Sequence, residues 1–453
     1  MLNICSKDVR SVGFLGIGKS NLGVYEYLCR HAKGLSITVR NTKPIDTGAL
    51  KHDRVFFGER ALQSIDEDIL FISPSARRDS FELIEAEKRG VILSSDAELF
   101  FALNKSDVYA VTGSDGKSTT THLSSLLISD GYKNAVPCGN IGCAMTPQLD
   151  RYTDAAYITE LSSFQLMYLK PKSERALITN ITKNHLNWHR SFEEYIDAKR
   201  SVLEGAKNRI INYDCPISER LARDYNIFAA FSANYTESEL RSLIKAELYV
   251  TISDGAVFVS GEPTLNLDDV KLPGRHNLLN FMSAIAMSYG IYKKDTLLRV
   301  AREFGGLPHR CELVGTRGGV SYYNSSVDSS PKRTSATLSM LKGSLIPILG
   351  GRSKGLDYLE LMPTLKEKAR LAVITGECRG EIEEAILSYK KNSGFSIPYV
   401  LIDDFYEAIN YAISAAQAGD KVILSPAATS YDCFQNFEER GRAFKLFLKS
   451  KGI

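Results

Sequence analysis

Val111-Thr-Gly-Ser-Asp-Gly-Lys-Ser-Thr-Thr-Thr121 is the stretch from which the rest of the chain can be read. The residues leading into it, Val108–Thr112, form an apolar run of strand length. Those after it, Thr119–Ser129, carry a helical pattern. Between them lie Gly113, Ser114, Asp115, Gly116, Lys117, Ser118 and Thr119. A glycine loop between a strand and a helix aims backbone N–H groups at one point, and the helix start adds partial positive charge. Phosphate oxygens suit both. Lys117 is then placed for β/γ-phosphates, and the Ser118 hydroxyl for Mg²⁺. The full phosphate-loop pattern has a glycine five residues before Gly116, where Val111 stands, so this is the shortened form G-x-x-G-K-S. A plain turn with an exposed lysine is the alternative, and the strand–loop–helix setting favours phosphate.

Outward from this loop, short apolar runs alternate with amphipathic ones. Ser11–Leu15, Ser36–Val39, Ile69–Ile72, Tyr157–Thr159, Leu177–Thr179 and Val422–Leu424 read as strands. Ser80–Arg89 and Phe192–Glu204 read as helices. Such alternation predicts an α/β fold with parallel sheets covered by helices. A chain of 453 residues suggests about three domains. The first closes near Ser95–Leu103, and the second opens at Val108–Thr112. A strand-rich stretch, Leu248–Leu272, interrupts the second domain, and the third begins around Gly305–Pro308. The expected domains are therefore 1–98, 99–304 and 305–453.

Composition removes several classes of function. The net charge of +3 argues against a dedicated nucleic-acid binder. No apolar run reaches membrane-span length, and the N-terminus lacks a signal-peptide pattern. The eight cysteines contain no CxxC pair, which fits reduced, mostly buried thiols and gives no zinc signature. We expect a cytoplasmic monomer.

A second glycine turn, Gly13-Phe-Leu-Gly16-Ile-Gly18-Lys19-Ser20, follows the first strand. A dinucleotide site needs an acidic residue after the second strand, and Arg40-Asn41-Thr42-Lys43 stands there. Two readings stay open: a different phosphate-bearing ligand such as a uridine nucleotide, or a tight helix–strand packing turn.

Further motifs occur in a fixed order. They are Gly139-Asn140-Ile141-Gly142, Glu160-Leu-Ser162-Ser163-Phe-Gln165 and Asn180-Ile-Thr-Lys-Asn-His185. Pro273–Asn280, Gly306–Glu312, Leu349–Lys354 and Leu424–Gly441 follow. Together with Thr112–Thr119 they resemble the motifs of the Mur ligases of peptidoglycan synthesis over nearly the whole chain. Glu160–Gln165 and the C-terminal run most resemble the D-glutamate-adding branch.

The resemblance implies three domains: a Rossmann-like N-terminal domain for a UDP-linked substrate, a central P-loop-type ATPase domain and a Rossmann-like C-terminal domain. It implies ATP-dependent ligation of D-glutamate to UDP-N-acetylmuramoyl-L-alanine through an acyl phosphate. Lys117, His185, Lys199 and Arg310 are its implied catalytic groups. Ser118, Glu160, His185 and a carbamylated Lys199 are its implied Mg²⁺ ligands. Apart from that resemblance, Lys199 reads as a surface lysine on a helix, and His185 as a hydrogen-bonded loop histidine. Asn277 and Asn280 are implied on the adenine side of ATP, and Arg310 at its γ-phosphate. Gly18, Lys19, Ser20, Asn41, Thr42, Ser73, Asn140, Ser162 and Ser163 are implied substrate contacts. Lys354, Ser430 and the backbone near Phe437 are implied to receive the D-glutamate carboxylates.

The chain departs from the family pattern in Tyr323–Pro331, where Ser325, Val327 and Ser329 replace an aspartate, a lysine and a threonine. Asn184 and Asn187 replace carboxylates around His185. These changes keep two other readings in view: a ligase for another amino acid, and a non-catalytic nucleotide-binding relative.

Overall fold

The computed structural model describes residues 2–4, 7–48, 50–140, 143–186, 188–272, 274–353 and 355–453. Lys354 therefore lies outside the described residues, as do Cys5, Ile141, Gly142, Asn187 and Pro273. The chain forms two compact units, Met1–Phe304 and Gly305–Ile453, and the first contains two large sheets.

The N-terminal sheet runs Arg54–Phe57, Ser36–Asn41, Ser11–Leu15, Ile69–Ile72, Ile92–Ser94 from edge to edge, all parallel. The first of these in sequence, Ser11–Leu15, is central, so the chain winds one way and then the other. In sheets wound this way, the reversal at the carboxyl ends of the strands is where a crevice forms. Gly16 and Ser73 leave the two strands flanking that crevice, and Ser73 N–H donates to the Leu15 carbonyl at 2.9 Å. The core stacks Phe14 on Phe71 with ring centroids 5.6 Å apart. Arg40 points into this core. It is fully buried, pairs with buried Glu67 at 2.8 Å, and donates to the carbonyls of Ala61, Gln63 and Ser64. Its role is to tie strand to loop.

Among the described residues the second sheet has nine strands. From edge to edge they are Glu262–Asn266, Ala256–Val259, Ala246–Ser253, Ile227–Phe231, Ala206–Asn212, Ser173–Ile178, Val108–Thr112, Ala155–Glu160 and Asn134–Gly139. Seven are parallel, and the stretch expected to interrupt this domain supplies an antiparallel extension at one side. Each edge strand contains a proline, Pro137 or Pro263. Val108–Thr112 is buried along its whole length, which explains its unbroken apolar run. Helix Arg275–Ser288 packs against helix Lys117–Ile128, and helix Phe192–Glu204 packs against strands Val108–Thr112 and Ser173–Ile178.

The second unit is a six-stranded sheet: Glu312–Arg317, Val320–Asn324, Lys421–Leu424, Leu345–Gly350, Ala372–Thr375, Tyr399–Leu401. Only the first pair is antiparallel. Apolar clusters cover it, one around Leu349, Leu361 and Ile382, the other around Ile348, Ile409 and Phe444.

The molecule is thus α/β throughout. Element ends differ from the sequence reading by a few residues. The helix after the glycine loop starts at Lys117, two residues before Thr119, because Gly116 turns the chain directly into it. Glu160 is the last residue of its strand. The thiols are less buried than expected: Cys29, Cys143 and Cys433 are exposed. No helix among the described residues is long and apolar enough to cross a membrane.

Candidate active site

The loop Gly113–Ser118 is held in shape by the segment after the neighbouring strand. Ser114 N–H donates to the Asn180 carbonyl at 2.8 Å, and Asp115 N–H to Asn180 Oδ1 at 3.0 Å. The Asp115 carbonyl accepts from Thr179 Oγ1 at 2.6 Å and from Asn180 Nδ2 at 3.1 Å. Ser114 Oγ lies 2.8 Å from the Tyr195 hydroxyl and accepts from Thr182 N–H at 2.9 Å. Glycine is required at both ends of the loop. A β-carbon on Gly113, at φ 151°, would lie 1.9 Å from Thr179 Oγ1. One on Gly116, at φ 78°, would lie 2.3 Å from Asn280 Oδ1. Gly116 offers the helix start no capping side chain, and the first turn carries no acidic residue. The first N–H groups of the helix and its positive end therefore suit an anion.

Three adjacent strands deliver the polar groups around this helix start. Ser118 Oγ donates to Glu160 Oε2 at 2.7 Å, and Asn140 Nδ2 to Glu160 Oε1 at 2.8 Å. Glu160 is 2% exposed. Lys117 Nζ donates to the Ser114 carbonyl at 2.9 Å. A carboxylate beside a hydroxyl at a phosphate-binding helix start is an oxygen-donor set that suits a hard cation.

Lys199 corrects the reading of it as a surface lysine. It is 1% exposed, and Nζ donates to the Gly113 carbonyl at 2.6 Å and to Thr112 Oγ1 at 3.3 Å. The reason lies in its helix, where Tyr195, Ile196, Val202 and Leu203 also face inward, with Lys199 in the middle of their stripe. Burial pushes its ionisation well below the ordinary lysine value, and the charge of Lys117 adds to the push. Glu160 and Asp115 oppose it.

His185 is exposed, in the left-handed conformation at φ 54°, with its ring 5.0 Å from that of Phe164. The described residues hold no cluster of three or more His, Cys, Asp or Glu able to bind a metal. Ser162 caps the short helix Ser163–Leu166 in a reciprocal pair with Gln165. Ser163 Oγ lies 2.9 Å from Nε2 of buried His189.

Asn280 is buried and reaches both Gly116 and Thr120, whereas Asn277 lies in the first turn of the same helix, partly exposed. In the N-terminal sheet, Gly18, Lys19 and Ser20 start the helix Lys19–His31. The Asn41 side chain closes a local turn onto the Lys43 carbonyl at 2.7 Å, Thr42 is exposed, and Ser73 Oγ lies 3.2 Å from Ser75 Oγ.

In the second unit, Arg310 is exposed on a turn whose N–H returns to the Leu307 carbonyl. Ser430 is buried, and its carbonyl accepts from the N–H groups of Cys433 and Phe434. Phe437 opens helix Phe437–Ser450, and its carbonyl accepts from Ser326 Oγ at 2.8 Å. Sequence reasoning did not single out Arg440. Its buried guanidinium donates to Ser326 Oγ and to the carbonyls of Ser326, Ala428 and Thr429, with a long contact of 3.5 Å to Gly350. It thereby knits three strand-end loops, and the available signal was its fixed place near the end of the Leu424–Gly441 motif. Ser325 has become structural: its Oγ accepts from Cys311 N–H at 3.0 Å.

The protein shares 36% identity with the UDP-N-acetylmuramoylalanine–D-glutamate ligase of Ruminiclostridium cellulolyticum, over 97% of both chains. It shares 35% with the ligase of that name from Acetivibrio thermocellus, over 99% of this chain and 98% of that one. The chain belongs to the Mur ligase family. The Mur ligase middle domain matches residues 111–288, which contain the glycine loop, Glu160 and Lys199. The glutamate ligase domain of the Mur ligases matches residues 309–428. The fold is also that of solved Mur ligase structures. The UDP-N-acetylmuramate–alanine ligase of Thermotoga maritima superposes with a TM-score of 0.55 at 17% identity, covering 97% of this chain and 99% of that one. A pseudomurein peptide ligase type C from Methanothermus fervidus superposes with a TM-score of 0.51 at 16% identity, covering 98% and 100%.

Proposed function

We propose that this protein uses ATP to join D-glutamate to UDP-N-acetylmuramoyl-L-alanine, in the synthesis of peptidoglycan precursors. It acts as a cytoplasmic monomer in this reading. Residues 1–98 form a Rossmann-like domain for the UDP substrate, 99–304 a P-loop-type ATPase domain, and 305–453 a Rossmann-like domain for the amino acid. The observation that carries the proposal is the meeting of Ser118 and Glu160 at 2.7 Å over a helix start built on Gly116.

A free carboxylate is a poor electrophile, and phosphorylation gives it a leaving group. The N–H groups of the Gly113–Thr119 loop cradle the ATP phosphates, and Lys117 balances charge on the transferring phosphoryl group. Ser118 and Glu160 would hold magnesium through oxygen, together with His185 and a carbamate on Lys199. Bound there, the ion would supply neutralisation of phosphate charge. Asn277 and Asn280 lie on the adenine side, and Arg310 serves the γ-phosphate. Gly18, Lys19, Ser20, Asn41, Thr42 and Ser73 receive the UDP end of the substrate, with Asn140, Ser162 and Ser163 nearer the reacting carboxylate. Lys354, Ser430 and the backbone at Phe437 receive D-glutamate, whose amine attacks the acyl phosphate. Holding the reactants in register supplies much of the rate.

The deciding experiment is phosphate release from ATP in the presence of UDP-N-acetylmuramoyl-L-alanine, with and without D-glutamate. Release that depends on both substrates, with a ligated product, supports the reading. Nucleotide binding without release would favour a non-catalytic relative.

A further inference from the structure

The turn Ser73–Asp79 and the segment His185–Glu194 are joined by a cluster of bonds for which the ligation chemistry has no direct use. Arg77 is its centre. Its guanidinium donates to Glu194 from Nη1 at 3.0 Å and from Nη2 at 2.9 Å, to the Trp188 carbonyl at 2.9 Å, and from Nε to Asp79 at 2.8 Å. It also stands over the indole of Trp188, 4.9 Å from the ring centroid. The indole N–H returns to the Ser75 carbonyl at 2.8 Å. Arg190 reaches the same two acids, through its side chain to Asp79 at 2.6 Å and its N–H to Glu194 at 2.8 Å. The side chains of Arg77 and Glu194 are each 19% exposed. A forked arginine–carboxylate pair shielded in this way keeps one geometry, unlike an isolated surface pair.

What the clasp holds is informative. At one end it fixes Ser75, whose hydroxyl lies against that of Ser73. At the other it fixes Trp188, whose N–H, like that of His189, donates to the His185 carbonyl at 3.0 Å. His185 sits at positive φ, a conformation that a residue with a β-carbon keeps only when its surroundings impose it. Phe164 packs on both rings, 4.5 Å from Trp188 and 5.0 Å from His185. The phosphate loop is held mainly by Thr179 and Asn180, which take no part in the clasp, and by Tyr195, which borders it through Glu194 and the ring of His189.

We propose that Arg77 is a positioning residue that, through Glu194 and Trp188, fixes the Ser73–Ser75 turn and the His185 loop at one separation, so that a long nucleotide-linked substrate is gripped at both places at once. The inference rests on the ligase reading, in which Ser73 contacts the UDP substrate and His185 belongs to the reacting end. It predicts a divided effect: the UDP substrate feels the clasp and ATP does not.

Trp188 is the only tryptophan in the chain, so its fluorescence reports the clasp independently of turnover. The experiment compares the full-length protein with its Arg77→Ala variant. Emission of the ligand-free variant should shift to the red, and its KM for UDP-N-acetylmuramoyl-L-alanine should rise about tenfold while its KM for ATP changes less than about twofold. Arg77→Lys keeps the charge but loses the fork, and should recover only part of that loss. Should Arg77→Ala fail to fold, Glu194→Gln retains the side-chain shape and should give the same split. A red-shifted emission with unchanged KM for the UDP substrate overturns the proposal, since the clasp is then structural only. An unshifted emission overturns the clasp itself. A wild-type protein that ligates nothing overturns the ligase reading and this inference with it, and is told apart because the emission shift needs no turnover.

Discussion

The side-chain nitrogen of Lys199 lies 2.6 Å from the carbonyl oxygen of Gly113, joining the buried face of a helix to the first glycine of the phosphate loop. Burial, and then Lys117, drive this amine toward its neutral form. A neutral amine is the form that combines with carbon dioxide to give the carbamate that the proposed function calls for. Lys199→Ala should lower ligation by roughly a thousandfold, and short carboxylic acids should restore part of it by replacing the carbamate. Assays in bicarbonate-free buffer decide the matter, and undiminished activity of the alanine variant there would rule the carbamate out.

Lys117→Ala should reduce turnover by at least about a thousandfold, the usual scale for losing a charged group that stabilises a transferring phosphoryl. Its circular dichroism should stay normal, because Thr179, Asn180 and Tyr195 hold the loop and the lysine adds only one bond, to the Ser114 carbonyl. Substantial turnover in a folded variant would count against the phosphate role.

Glu194 sets a pH dependence. The hydrogen bonds from Arg77, the largest influence, bring its ionisation down to about 2 from the usual 4.5. A carboxylate lowered in the folded state adds stability above its unfolded value, and that stability is lost as pH falls through the folded value. Glu194→Gln should therefore cost on the order of 2 kcal/mol at neutral pH, and the gap to wild type should narrow progressively below pH 4.5. Denaturant unfolding of both proteins across that range is the measurement. A gap that stays constant with pH would show that the ion pair contributes nothing.

The amino-acid site should prefer D-glutamate over L-glutamate and over D-aspartate. Two carboxylates held at fixed separation reject a shorter diacid, because one charge loses its partner. Inverting the α-carbon moves the amine away from the acyl phosphate, so kcat should fall more than KM rises. A substrate panel at saturating ATP and UDP substrate tests this, and L-glutamate or D-aspartate used as efficiently as D-glutamate would refute it.

The α/β architecture and the glycine loop were legible because both are coded locally. Buried parallel strands write themselves as unbroken apolar runs, and the loop needs glycine where a β-carbon would strike Thr179 or Asn280. Lys199 was half legible: the family resemblance set it apart, while its place in the inward stripe of Tyr195, Ile196 and Val202, which buries it, went unread. The clasp was not legible, since Arg77 and Glu194 are 117 residues apart and neither stands in a motif. Arg440 stands in the Leu424–Gly441 motif, yet its role was not legible there. Its partners are mainly backbone carbonyls, which any sequence would provide.

The two prolines at the margins of the nine-stranded sheet have a consequence for how the protein behaves when crowded. An outermost strand displays unpaired N–H and C=O groups, a template on which another chain can grow. Proline withholds the N–H and stiffens the backbone, so Pro137 on one margin and Pro263 on the other each leave a gap in that template. The Val257/Phe258 register irregularity, beside the second margin, bends the ribbon further away from flat stacking. The widest sheet in the molecule is in this way finite by composition, and a concentrated solution of the folded protein is guarded against intermolecular strand addition at both ends.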